Sequence, residues 1–150
     1  MRLSLLFLLS FFSLQLQAAD ATFAERVTAA ASADATPAGT AFQAQLQEHV
    51  YPLLGTMMAK CSQTSGLPVQ DFTLVAQVTA FQTITDAEVS PDNAFTRCVI
   101  PRFVSQCFPL PPLTEEQRSY PLAIHFTADM ASQVLTRKQE KAYRLGSCGF

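Results

Sequence analysis

DFTLVAQVTAFQTITDAEVSP, residues 71–91, alternates twice and turns once. Phe72, Leu74, Ala76, Val78 and Ala80 alternate with Thr73, Val75, Gln77 and Thr79. That is the two-residue period of a strand with one greasier face. Ile84, Asp86 and Glu88 alternate in the same way against Thr85, Ala87 and Val89. Phe81-Gln82-Thr83 between them holds no glycine and no Asn-Gly, so a hairpin is expected but its turn type is not readable.

Downstream, Ser90-Pro91-Asp92 has the composition of a helix start, with a serine cap, a proline at the first helical position and an acid in the first turn. Phe95, Cys98, Val99, Phe103 and Cys107 continue at helical spacing. On one helix, Cys98 and Cys107 point about 180° apart and lie about 13 Å apart along the axis. A disulfide needs Cα atoms within about 7 Å. Each therefore pairs elsewhere, and Cys61 and Cys148 are the remaining partners. Phe108-Pro109-Leu110-Pro111-Pro112 stops the helix and reads as a rigid corner rather than a polyproline recognition motif. Tyr120, Leu122, Ile124 and Phe126 alternate with Pro121, Ala123, His125 and Thr127 as a third strand, with Pro121 suited to an edge or first position. A final helix is expected over about Asp129 to Leu145, basic at Arg137, Lys138, Lys141 and Arg144. Those four side chains form either a solvated face complementing the helix dipole or a docking surface for an acidic partner or anionic membrane.

Upstream, Thr40-x-x-Gln43 is a capping-box pattern, followed by Phe42, Leu46, Val50, Leu53, Met57 and Cys61 at helical spacing. Pro52 predicts a kink or break, and Gly66 and Pro68 an end. Met57-Met58 reads as core packing, with no third sulfur or histidine nearby to make a soft-metal site. Residues 19–40 are dominated by Ala, Thr, Ser and Asp and read as a flexible N-terminal arm, with too few large apolar groups to hold down a brief helix near Phe23–Ala31.

The first residues set the expected compartment. Arg2, an apolar run from Leu3 to Leu16 and then Gln17-Ala18-Ala19 have the three parts of a secretory signal peptide, cut after Ala18 or Ala19. As a helix that run reaches only about 21 Å, short of the roughly 30 Å hydrocarbon core. The expected division is thus a signal peptide over 1–18, an arm over 19–40 and one domain over 41–150, with no transmembrane segment in the mature chain. Ten basic and twelve acidic side chains give a net charge of −2, and loss of Arg2 leaves −3. So mild an acidic balance argues against a nucleic-acid partner. Export to an oxidising periplasm or extracellular space makes two disulfides the natural reading of four cysteines. No CxxC pair supports a redox motif, and no short paired spacing supports zinc.

The predicted order is helix, strand, strand, helix, strand, helix: an α+β fold, with a small three-stranded antiparallel β-β-α-β sheet, helices packed on one face and helices flanking at both ends. Cys61, the gap holding Gly66 and Pro68, the paired strands, the acidic DAEVSP turn, Phe95-x-x-Cys98-Val99, Phe108-Pro109 and Tyr120-Pro121 resemble, in order and spacing, the cysteine-bearing branch of TonB C-terminal-like domains. The resemblance covers about residues 45–127. It implies a bridge from Cys61 in the first helix to Cys98 in the crossover helix, which assigns Cys107 to Cys148. It departs from the family pattern at Gln82, where a hairpin glycine is usual, and the long proline-rich arm of an energy transducer is missing.

No enzyme signature accompanies these features. His49 and His125 lie near no GxSxG, HExxH or P-loop pattern. The expectation is therefore a non-catalytic periplasmic or secreted interaction module with a cell-envelope protein partner and no cofactor or metal. A secreted inhibitor or binder of a small apolar ligand is the alternative, and a hydrolase with an unrecognised site the next.

Overall fold

The alternation over 72–90 forms the expected hairpin. In the computed structural model, which describes residues 21–129, β1 (Phe72–Thr79) and β2 (Ile84–Ser90) pair antiparallel. β3 (Ser119–Phe126) pairs antiparallel with the other side of β1, so the sheet order is β2-β1-β3. Helices α1 (Phe23–Asp34), α2 (Pro37–His49) and α3 (Tyr51–Ser65) precede the sheet, and α4 (Ala94–Val104) joins β2 to β3. The fold is α+β, a three-stranded antiparallel sheet with helices packed alongside.

The turn that could not be read from residues 81–83 uses threonine and a left-handed glutamine in place of glycine. Gln82 N–H donates to Thr79 O at 3.0 Å, and Thr79 N–H donates to Thr83 O at 2.9 Å. Gln82 takes φ 61°, a conformation that costs a non-glycine residue about 1–2 kcal/mol. The Thr79 and Thr83 hydroxyls, 2.7 Å apart, close the turn across its base and help offset that cost. A type I turn followed by one left-handed residue is the usual three-residue hairpin loop.

Phe72, Leu74 and Val78 from β1, with Tyr120, Leu122, Ile124 and Phe126 from β3, face a buried cluster completed by α2, α3 and α4. Phe72 stacks on Phe126 with centroids 4.5 Å apart, and Phe103 meets Phe126 and Phe108 edge-on. Each such side chain contributes about 1.5–3 kcal/mol by leaving water.

Local boundaries depart from the expected ones for identifiable reasons. The helix expected from Thr40 starts earlier: Thr36 is the N-cap, its Oγ1 accepting from Gly39 N–H at 3.0 Å, with Pro37 at the first position. Pro52 does not kink a continuous helix. It sits in the first turn of a new one, α3, where a missing N–H costs nothing. Ser90 is not the cap of α4 but the last residue of β2, opposite Thr73. The cap is Asn93, whose Oδ1 accepts from Phe95 and Thr96 N–H at 2.9 and 3.0 Å, while Thr96 Oγ1 accepts from Asn93 N–H at 2.9 Å. α4 then ends at Val104, three residues before Cys107.

The largest difference concerns the segment expected as a flexible arm. Residues 23–34 form α1, opened by a capping box in which Thr22 and Glu25 bond each other's backbone. α1 runs against β3 and part of β1. Arg26 Nη1 donates to Glu88 Oε2 at 3.0 Å, and Arg26 Nη2 donates to Asp86 O. Glu88 stands opposite Val75, whose side chain points away from Leu74 and yet is 0% exposed. α2, α3 and α4 thus pack on one face, and α1 covers the reverse one. Its alanines explain how so few large side chains suffice, because a small-residue helix with Ala30 fully buried lies close to the strands. The expected signal peptide over 1–18 and the expected final helix lie outside the described residues.

Candidate functional site

Cys61 of α3 is bonded to Cys98 of α4, with Cα atoms 5.6 Å apart. Cys107 is also disulfide-bonded, and the described cysteines include no free thiol. The expected Cys107–Cys148 pairing falls on Cys148, outside the described residues, as do Arg137, Lys138, Lys141 and Arg144. Among the described residues no helix is long and apolar enough to cross a membrane. A disulfide-bearing domain of this kind is compatible with a periplasmic or extracellular location.

The two histidines do not converge. His49 closes α2, with Nε2 3.9 Å from Glu48 Oε2. His125 is exposed on β3, its Nδ1 3.0 Å from the Thr73 hydroxyl. Among the described residues no three of His, Cys, Asp and Glu gather as a metal site would require.

The sheet has two edges, β2 and β3, and they differ. β3 runs in unbroken register from Ser119 to Phe126 against Thr79 to Phe72. Pro121, opposite Gln77, has no N–H and fits a ladder only where its nitrogen faces outward. Alternation then turns the N–H and C=O groups of Ala123 and His125 outward as well, while Tyr120, Leu122, Ile124 and Phe126 bond β1. Thr79 N–H, directed to Thr83 O on the hairpin side, agrees with this alternation. Among the described residues no backbone group pairs with the outer side of β3 at Ala123 or His125.

The β2 edge is different. Its register shifts between Val75 and Gln77, with Asp86 at φ 52° in the bulge. Carboxylates at Asp86 and Glu88 and the Arg26 tether occupy the same stretch. Bulges and charges are the devices that keep an edge strand from pairing.

One polar junction fixes the helices that frame β3. Tyr120 donates its hydroxyl proton to Asp34 Oδ1 at 2.8 Å, Gln43 Nε2 donates to Asp34 Oδ2 at 2.9 Å, and the Tyr51 hydroxyl donates to Gln43 Oε1 at 3.3 Å. Burial first, and then the Asp34 carboxylate, push the Tyr120 phenol well above its ordinary range. Tyr51 is raised by burial and by the charge of Asp34. Sequence reading missed this junction, since no periodicity relates Asp34 to Tyr120. The helix carrying Asp34 did leave a signal, because Thr22-x-x-Glu25 is itself a capping-box pattern.

An open groove lies between the hairpin tip at Thr79–Phe81 and the turn bearing Glu115, Glu116 and Arg118. Its rim is of mixed charge. No protein-family model matches the chain, and no curated protein or solved structure matches it.

Proposed function

We propose that this protein is a non-catalytic interaction module of the periplasm or the extracellular space, akin to a TonB C-terminal-like domain, that binds a cell-envelope protein by adding a strand to β3. The observation that carries the reading is the outer side of β3, regular over its whole length and offering the backbone groups of Ala123 and His125. Main-chain hydrogen bonds to such an edge supply affinity, and alternate side chains supply selectivity. The bulged, acidic and tethered β2 edge favours β3 over the other side of the sheet. Pro121 confines pairing to the half of β3 beyond it.

The test places a photo-crosslinking side chain at His125 or at Glu88 in the full chain expressed in its own cell envelope. A defined adduct from position 125, absent from position 88 and lost with Ala123→Pro, supports strand addition at β3. Adducts that persist in Ala123→Pro but disappear when Arg137, Lys141 and Arg144 become glutamate place the partner on the basic segment instead and overturn the β3 reading.

A further inference from the structure

The two sulfurs of the Cys61–Cys98 bridge occupy different chemical settings. Cys61 is 0% exposed and belongs to the apolar cluster. Cys98 is only partly buried, at the margin of that cluster. One turn further along α4, Arg102 Nη1 lies 3.0 Å from Cys98 Sγ and donates to Cys98 O at 2.7 Å. Both contacts hold a guanidinium beside one sulfur of the pair. A cation at that distance favours a thiolate, whereas apolar burial favours the neutral thiol.

We propose that Cys98 is the thiol-exchange site of this protein, the sulfur through which the bridge is both opened and closed, with Arg102 as its positioning residue and a small thiolate as its reactant. In opening, the incoming thiolate attacks Cys98 Sγ. A new sulfur–sulfur bond forms there, the bond to Cys61 breaks, and the electron pair leaves on Cys61 Sγ, which takes a proton from solvent and remains as a buried thiol. A second thiolate then attacks the outer sulfur of the mixed disulfide and carries it off as a symmetric disulfide, and Cys98 departs as a thiolate beside Arg102. Two electrons pass from two external thiols to the protein. Closing runs the same steps backward: the Cys98 thiolate attacks an external disulfide, and Cys61 loses its proton, attacks Cys98 Sγ and expels the second thiol. Access decides the first opening step, because Cys61 is enclosed and Cys98 is not, and it outweighs the poorer leaving ability of the buried Cys61 sulfur. Thiolate stability beside Arg102 favours Cys98 as the sulfur that departs from the mixed disulfide and as the attacker in closing, so each route passes through an adduct on Cys98 and neither through one on Cys61.

The first measurement uses the folded, oxidised full chain and glutathione as the probe, at rising concentration until the Cys61–Cys98 bridge is released. After an acid quench, peptide mapping should find the glutathione adduct on Cys98. An adduct on Cys61, an even division between the two, or release of the bridge with no adduct on Cys98 would each overturn the proposal. The second uses the Cys61→Ala chain, whose Cys98 is free, and follows alkylation by iodoacetamide against pH. The midpoint should lie below the roughly 8.5 of an ordinary cysteine, rise by about one unit in Arg102→Met, and stay low in Arg102→Lys. An unchanged midpoint in Arg102→Met removes Arg102 from the mechanism, whatever that substitution does to stability.

Discussion

The Tyr120 hydroxyl and Asp34 Oδ1, 2.8 Å apart and separated by 86 positions, tie the end of α1 to the start of β3. Asp34 also accepts from Gln43 of α2, so a single carboxylate fastens three elements. The phenol is edge-on to Phe42, with ring centroids 5.0 Å apart, and an apolar ring can therefore replace Tyr120 without loss of packing.

Tyr120→Phe should destabilise the fold by about 1.5–3 kcal/mol, the range for a hydrogen bond to a charged group. Urea denaturation at neutral pH measures it. The variant also reports a pH effect. Burial, followed by the bond to Asp34, raises the folded phenol above its ordinary 10.0, so the unfolded chain ionises first. The resulting stabilisation is complete below pH 10 and declines as the pH rises above it. Between pH 9 and 11.5 the wild-type urea midpoint should fall more steeply than that of Tyr120→Phe. Parallel curves would show that the phenol is not held neutral by folding.

Gly39→Ala tests the approach of α1 to α2. A Cβ at Gly39 would overlap Ala33 O and lie 2.7 Å from the Tyr120 hydroxyl. Alanine gains about 1 kcal/mol of helix propensity, but overpacking against backbone costs about 1–3 kcal/mol. The net change should be destabilising, read as a lower thermal midpoint. A raised midpoint would mean that α1 can shift away at no cost.

The bridge contributes through the unfolded chain. Cys61 and Cys98 are 37 positions apart, and closing a loop of that size is worth about 3–4 kcal/mol. The double replacement of both by alanine leaves no new free thiol and should lose most of that stability in chemical denaturation. A loss under about 1 kcal/mol would mean that α3 and α4 are already held together in the unfolded ensemble.

Arg26 and Glu88 fasten α1 to the reverse face of the sheet. The guanidinium side chain is 17% exposed and the carboxylate 53%, so the pair is partly screened and a coupling of about 0.5–1 kcal/mol is expected. A double-mutant cycle with Arg26→Ala and Glu88→Ala measures it. Amide exchange in α1 should speed up in Arg26→Ala while β1 stays protected. Unchanged exchange would show that Ala30 and its neighbours hold the helix without the ion pair.

The strands and the crossover helix are legible in residues 71–126 because their causes are local. Alternation at Phe72–Val78 and Tyr120–Phe126 and helical spacing at Phe95–Phe103 are properties of neighbours a few positions apart. The proline rules carried nearly as far: Pro52 marked a boundary and Pro121 an edge, although the first begins a helix rather than bending one. Ser90-Pro91-Asp92 misled because Asn93 and Thr96 form a reciprocal cap that outcompetes it.

By itself, then, the sequence determined the strand and helix types over residues 71–126 and the antiparallel hairpin, since backbone geometry along one segment settles each. Only the tertiary structure decided that α1 is a helix on the reverse face, that Tyr120 meets Asp34, and that Arg102 stands beside one sulfur of a pair whose other member is buried. Those outcomes depend on surfaces brought together from distant parts of the chain. An alanine-rich segment with little apolar area of its own becomes a helix when a sheet face and two polar anchors complete it.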